Sequence, residues 1–63
     1  MAQFNKYGEA TFTSREEALK FFQLNGEEAI EYNGWFVVFD SYTDFQAWKS
    51  CNPNIVFNFI YPN

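Results

Sequence analysis

Apolar and polar positions alternate along this chain with two different periods. Two segments carry apolar side chains at the three- and four-residue spacing of an amphipathic helix, residues 15–24 and 42–51. Four segments are short, with β-branched and aromatic residues that favour strands, residues 9–13, 28–32, 35–40 and 55–61. The pattern therefore predicts the element order β-α-β-β-α-β.

Both predicted helices begin and end at local signals. Ser14 can cap the first helix, and Glu17 completes a capping box and places an anion in the first turn. Gly26 follows that helix and can adopt the left-handed conformation that often ends one. Ser41 caps the second helix in the same way, and Pro53 ends it because proline disfavours helical geometry in the residue before it.

The dipeptide Asn33-Gly34 separates the two middle strands. It predicts a type I′ hairpin, because that turn needs a positive φ at both central residues. The hairpin would join two β-α-β halves, about residues 9–33 and 35–61, within a single domain formed by residues 1–63. When residues 10–33 are aligned without gaps with residues 37–60, the helix caps, helix ends and strands of the two halves coincide.

This alignment divides the apolar positions into an expected core side and an outer side. The shared helical stripe consists of Ala18, Phe21, Leu24, Phe45, Trp48 and Cys51. The inward strand positions are Phe12, Ile30, Tyr32, Trp35, Val37, Phe39, Phe57 and Phe59. Leu19 and Phe22 widen the apolar face of the first helix, which we interpret as deeper burial of that helix or contact with Phe4 and Tyr7.

The element order predicts an α+β fold. The usual solution is a ferredoxin-like four-stranded antiparallel sheet with both helices on one face. Right-handed crossovers in both halves would give the strand order 4-1-3-2 and would leave residues 28–32 as an edge strand. The alternative is a three-stranded sheet in which residues 1–13 do not pair.

Composition limits the chemistry that this chain can perform. There is no histidine and one cysteine, Cys51, which we place in the core as a small apolar residue. Glu16 and Glu17 are best explained as helix-stabilising acids. We therefore expect no enzymatic activity, no metal site and no cofactor.

Charge and hydropathy bear on partners and location. The formal net charge is −4 and four residues are basic, which argues against a protein that binds the phosphate backbone of nucleic acid. The N-terminus lacks the apolar core of a signal peptide, and no stretch approaches the roughly 20 apolar residues of a membrane span. We expect a cytoplasmic protein without a membrane partner.

The expected fold leaves one sheet face open, and this face is the candidate partner-binding site. The apolar residues predicted to lie on it are Phe36, Val38, Val56 and Ile60. An acidic edge beside it would carry Glu27, Glu28 and Glu31, which either steer a basic partner or resist unwanted strand pairing. The alternative is that the N-terminal segment, with Phe4 and Tyr7, folds over this face.

These features favour a small acidic protein-interaction domain. In length and composition the chain resembles the small, acidic, aromatic-rich proteins that bacteriophages make to bind and block host enzymes. It implies an inhibitor of a host protein. Two other functions stay open: self-association as a homodimer or accessory domain through the same apolar face, and single-stranded nucleic-acid binding through an open sheet face with Phe36 at its centre.

Overall fold

The computed structural model describes residues 2–62. Its elements follow the predicted order: β1 (Glu9–Phe12), α1 (Arg15–Asn25), β2 (Glu28–Tyr32), β3 (Trp35–Phe39), α2 (Tyr42–Cys51) and β4 (Asn58–Phe59). The α+β class, the four-stranded antiparallel sheet and the two helices are therefore confirmed.

The local signals act largely as expected. The Ser14 hydroxyl accepts a hydrogen bond from the Glu17 N–H at 3.3 Å, and the Ser41 hydroxyl accepts one from the Asp44 N–H at 3.1 Å. In the hairpin, Asn33 has a φ of 51° and Gly34 a φ of 81°, which are the positive angles of a type I′ turn. Gly26 differs from expectation: it ends α1 in an extended conformation with a φ of −106°.

The strand order is β1-β3-β2-β4, and the predicted order 4-1-3-2 is wrong. Strand β1 pairs with β3, so the three-stranded alternative is also wrong. Strand β2 lies between β3 and β4 and is not an edge strand. The two edges of the sheet are β1 and β4.

The two helices lie on opposite faces of the sheet. Successive side chains of β3 point to opposite faces, so Val38 and Val37 belong to different cores. Val38 is in one cluster with Ala18 of α1, whereas Val37 is in another with Phe45 of α2. The expected arrangement, with both helices on one face, is therefore wrong.

Strand order and helix placement are linked by the handedness of the crossovers. Strands β1 and β2 are mutually parallel, with α1 between them in sequence, and β3 and β4 are mutually parallel, with α2 between them. The two connections step in the same direction across the sheet, but their strands run in opposite directions. Two right-handed crossovers then require opposite faces, whereas the order 4-1-3-2 would have placed both helices on one face.

Each face of the sheet has its own core. Under α1 the buried residues are Ala10, Phe12, Ala18, Ala29, Val38 and Ile60. Under α2 they are Ile30, Val37, Phe39, Phe45 and Trp48. Phe12 was expected on the side of Phe39, but its backbone partner is Phe36, so it lies under α1.

Two positions of the expected helical stripe lie outside the cores. Leu24 and Cys51 occupy equivalent places near the helix ends, and both are exposed, so their predicted burial is wrong. In α1 the sheet instead contacts Leu19 and Phe22, as the wide apolar face of that helix indicated. Phe4 also packs in this layer, with its ring centroid 5.0 Å from that of Phe21.

Candidate functional site

The open apolar face expected from the sequence is covered by α1. Val38 and Ile60 are fully buried and Phe36 is half-buried against the same cluster. Val56 is 89% exposed, but it precedes β4 and has none of its expected apolar neighbours at the surface. The expected surface is therefore absent, because α1 covers this face of the sheet as a third layer.

The three acids beside the expected face lie on and just before a central strand. The Glu27 carboxylate accepts a hydrogen bond from the Tyr42 N–H at 3.0 Å, which places an anion at the N-terminus of α2. The Glu28 carboxylate accepts one from the Ala29 N–H at 3.1 Å. Glu31 lies opposite Asn58 in the β2–β4 pair and is half-buried. Whether these acids also contact a partner stays a prediction.

A different apolar surface lies where α2 meets β4. Tyr42, Phe59 and Tyr61 are 53%, 43% and 60% exposed. The ring of the buried residue Phe45 connects them, with its centroid 5.7 Å from that of Tyr42 and 5.6 Å from that of Phe59. The Tyr61 ring continues the row, 6.3 Å from that of Phe59. We call Tyr42, Phe59 and Tyr61 the aromatic surface.

The exposure of Tyr42 and Phe59 follows from their positions beside the core under α2. Phe45 fills the core under α2, so Tyr42, one turn earlier on the same helix, lies just outside it. Phe59 pairs with Ile30 at the outer edge of the sheet, where α2 covers only part of its ring. The Tyr42 and Phe59 rings therefore contact the core under α2 through Phe45, and the Tyr61 ring contacts that of Phe59.

Charged groups stand at one end of the aromatic surface. Glu27 is hydrogen-bonded to the Tyr42 N–H, and Asp40 is exposed just before the cap of α2. The nearest basic group is Lys49, whose Nζ lies 6.0 Å from the centroid of the Phe45 ring. Arg15 and Lys20 belong to α1, which covers the opposite face of the sheet. The end of the aromatic surface near Tyr42 is therefore acidic.

A groove lies between α2 and the segment that leads into β1. Its volume is about 480 Å³, and it is lined by Lys6, Tyr7, Glu9, Asp44, Ala47, Trp48 and Cys51. The Asp44 carboxylate accepts a hydrogen bond from the Ser41 hydroxyl at 2.8 Å, and that of Glu9 accepts one from the Asn5 amide at 3.4 Å. These acids thus serve the helix cap and the N-terminal turn.

The groove contains the exposed thiol of Cys51. The chain has no histidine to act as its base. Among residues 2–62, no three His, Cys, Asp or Glu side chains are placed to hold a metal ion.

Sequence reasoning missed the aromatic surface. Phe59 was expected to point inward, and it does lie on the α2 face, but its edge position leaves it partly exposed. Tyr42 and Tyr61 were not singled out. The available signal was the alternation of Phe57, Phe59 and Tyr61 at the end of the chain, which places three aromatic rings on one face.

Comparison with known proteins gives no relative: no family model, curated protein or solved structure matches this chain. Within residues 2–62, neither helix has the length and apolar character needed to cross a membrane.

Proposed function

We propose that this chain is a non-enzymatic domain that binds another protein through the aromatic surface. The observation that carries the proposal is the exposure of Tyr42, Phe59 and Tyr61 in one row around a buried ring. Tyrosine and phenylalanine are enriched in protein interfaces and supply much contact area at low entropic cost. Rings held by a packed core also lose little further freedom on binding.

The charge distribution favours a partner with a basic surface. The net charge of −4 draws such a partner from a distance, and Glu27 and Asp40 place negative charge beside the aromatic surface. The size and composition of the chain suggest a specific version of this function: the domain is an inhibitor that occupies a functional surface of a cytoplasmic partner.

Single-stranded nucleic acid is the second candidate, because exposed aromatic rings can stack on bases. The row of Tyr42, Phe59 and Tyr61 is the observation in its favour. The acidic groups beside Tyr42 oppose it, since phosphate binding requires several cations and the whole chain has four basic residues, of which Lys49 lies 6.0 Å from the Phe45 ring.

Affinity capture from lysate with the purified chain tests the proposal, followed by titration calorimetry with the captured protein. Phe59→Ser and Tyr61→Ser are compared with Tyr7→Ser, a matched control because Tyr7 is 62% exposed beside the groove at the other edge of the sheet. We expect each surface variant to weaken binding by about thirtyfold, the size of a hot-spot residue, and Tyr7→Ser to have no effect.

Two results would assign binding to another site or to another class of ligand. Equal loss of affinity in Tyr7→Ser would assign binding to the groove or to general charge. If the lysate yields no protein, fluorescent single-stranded oligonucleotides are titrated at low salt. Binding that Phe59→Ser weakens would then favour nucleic acid as the ligand.

A further inference from the structure

Strand β4 has an unpaired outer edge. It pairs only with β2, and the Ile60 N–H donates to the Ala29 carbonyl at 3.1 Å. Because the inward and outward hydrogen-bonding groups alternate along an antiparallel strand, the N–H and C=O of Phe59 point away from β2. Within residues 2–62, no strand lies on that side of β4.

The other edge of the sheet is covered in part. Asn5 closes the outer side of β1 at Glu9: its side-chain oxygen accepts from the Glu9 N–H at 3.0 Å, and its own N–H donates to the Glu9 carbonyl at 2.8 Å. Such covering is a common way to block pairing with other chains. Within the described part of the chain, it leaves Thr11 as the outward-facing residue of β1 without such a cover, whereas the outward groups of Phe59 in β4 lie directly beside the aromatic surface.

The open edge and the aromatic surface meet at one residue. The Phe59 side chain lies on the α2 face in the aromatic surface, while its backbone groups point outward from β4. On the opposite face, Asn58 of β4 pairs with Glu31 of the neighbouring strand β2. An added strand would therefore lie beside aromatic rings on one face and beside Asn58 on the other, with the Glu31 carboxylate one strand further in, within reach of a long basic side chain.

We propose that the outer edge of β4 receives an extended segment of the partner, which adds to the sheet as a fifth strand with alternating apolar and basic side chains. The inference rests on the proposed function and names its binding mode. The outward N–H and C=O of Phe59 require an extended backbone, and the two faces select the alternation. The apolar side chains would contact Phe59 and Tyr61, and the basic ones would approach Glu31.

Charge distinguishes this occupant from a second copy of the chain. Pairing of two β4 edges would bring together two molecules with a net charge of −4 each. A basic segment instead gains from the same charge.

The test uses the ¹⁵N-labelled full chain and a capped peptide of about six residues, the length of a typical strand, in which valine and lysine alternate. Two matched peptides serve as controls: one has glutamate in place of lysine, and the other is N-methylated at alternate backbone nitrogens. We expect the first peptide to shift the amide signals of Phe59 and Tyr61 and to slow hydrogen exchange at Phe59. Both controls should bind at least about tenfold more weakly, because the N-methylated peptide loses backbone hydrogen bonds and the glutamate peptide loses the charge pairing.

A variant makes the same test from the protein side. Phe59→Pro removes the outward N–H and the ring but keeps the bonds of Asn58 and Ile60 with β2, so the peptide should no longer shift the Tyr61 amide signal. Phe59→Ser removes the ring and keeps the N–H, so a larger loss of affinity in Phe59→Pro than in Phe59→Ser would assign the difference to the backbone hydrogen bond. Glu31→Gln should weaken binding of the basic peptide, because it removes the negative charge near the lysines. It should not weaken binding of a peptide with serine in place of lysine. If Phe59→Pro does not fold, the N-methylated peptide still decides the question.

The remaining outcomes overturn the inference in distinguishable ways. Equal binding of the N-methylated peptide at Phe59 and Tyr61 would exclude strand addition and leave the aromatic surface as the binding site. No signal change with the basic peptide at millimolar concentration would reject strand addition by a basic segment, while the lysate experiment above tests the proposed function independently. Protection of the Phe59 amide that rises with protein concentration alone would identify a second copy as the occupant.

Discussion

Trp48 and Trp35 carry the same side chain in opposite settings. Trp48 lies in the core under α2, and its ring centroid is 5.4 Å from that of Tyr32, 5.8 Å from Phe39 and 5.7 Å from Phe57. Trp35 is 46% exposed at the hairpin. Because aromatic side chains make up most of the core under α2, residues such as Trp48 supply much of the stability of this short chain.

Trp48→Ala is therefore expected to lower the free energy of unfolding by about 3–5 kcal/mol, since it leaves a cavity among four aromatic side chains. Trp35→Ala, the control with the same change in side-chain volume, should cost about 1 kcal/mol or less. Urea denaturation followed by circular dichroism measures both. Similar losses in the two variants would contradict the assignment of Trp48 to the core.

At the scale of elements, the N-terminus of α2 is held by a residue distant in sequence. Ser41 caps the helix locally, and Glu27 reaches it from just before β2 to accept the Tyr42 N–H. Glu27 thus joins two elements, and a change there affects folding as well as the charge beside the aromatic surface. Binding data for Glu27 variants need a stability measurement alongside.

Glu27→Ala is expected to reduce the free energy of unfolding by about 1 kcal/mol, the usual cost of losing a helix cap. Glu27→Gln keeps an acceptor oxygen and should recover part of that loss. Glu16→Ala is the control, because it removes an exposed acid from the first turn of α1, and it should cost a few tenths of a kcal/mol. Thermal unfolding at low ionic strength compares the three, and equal losses for Glu27→Ala and Glu16→Ala would argue against the cap.

At the scale of the whole molecule, the sheet is sandwiched between its helices. Strand β3 lies in the middle of both cores, with Val38 under α1 and Val37 and Phe39 under α2. Burial on both sides explains why α1 needs its wide apolar face. Exposed aromatic rings remain at the β4 edge, where Phe59 is 43% exposed.

This architecture predicts different effects of an aspartate substitution at Val38 and at Val56, two residues that the sequence analysis placed on one exposed face. Val38→Asp should abolish folding at neutral pH, because an unpaired carboxylate between α1 and the sheet has no hydrogen-bond partner. Val56→Asp should leave the native spectrum unchanged, since Val56 is almost fully exposed. Heteronuclear NMR spectra of the two variants provide the measurement, and a folded Val38→Asp would show that α1 leaves that face open.

The sequence by itself determined the elements, both helix caps and the Asn33-Gly34 turn. These features depend on hydrogen bonds and backbone angles within a few residues, so neighbouring residues specify them. The helical spacing also identified Phe45 and Trp48 as core residues, because one face of α2 is clearly apolar.

Only the tertiary structure decided which neighbour β4 takes and which face each helix covers. Both orders of the strands satisfy the right-handed crossover rule, so the choice depends on packing between distant segments. The internal alignment favoured one shared face and misplaced Phe12, although the unbroken apolar run of Trp35–Phe39 is typical of a strand buried on both sides. That choice buried Val38 and Ile60 and exposed Phe59, and so it moved the candidate site from the sheet face to the sheet edge.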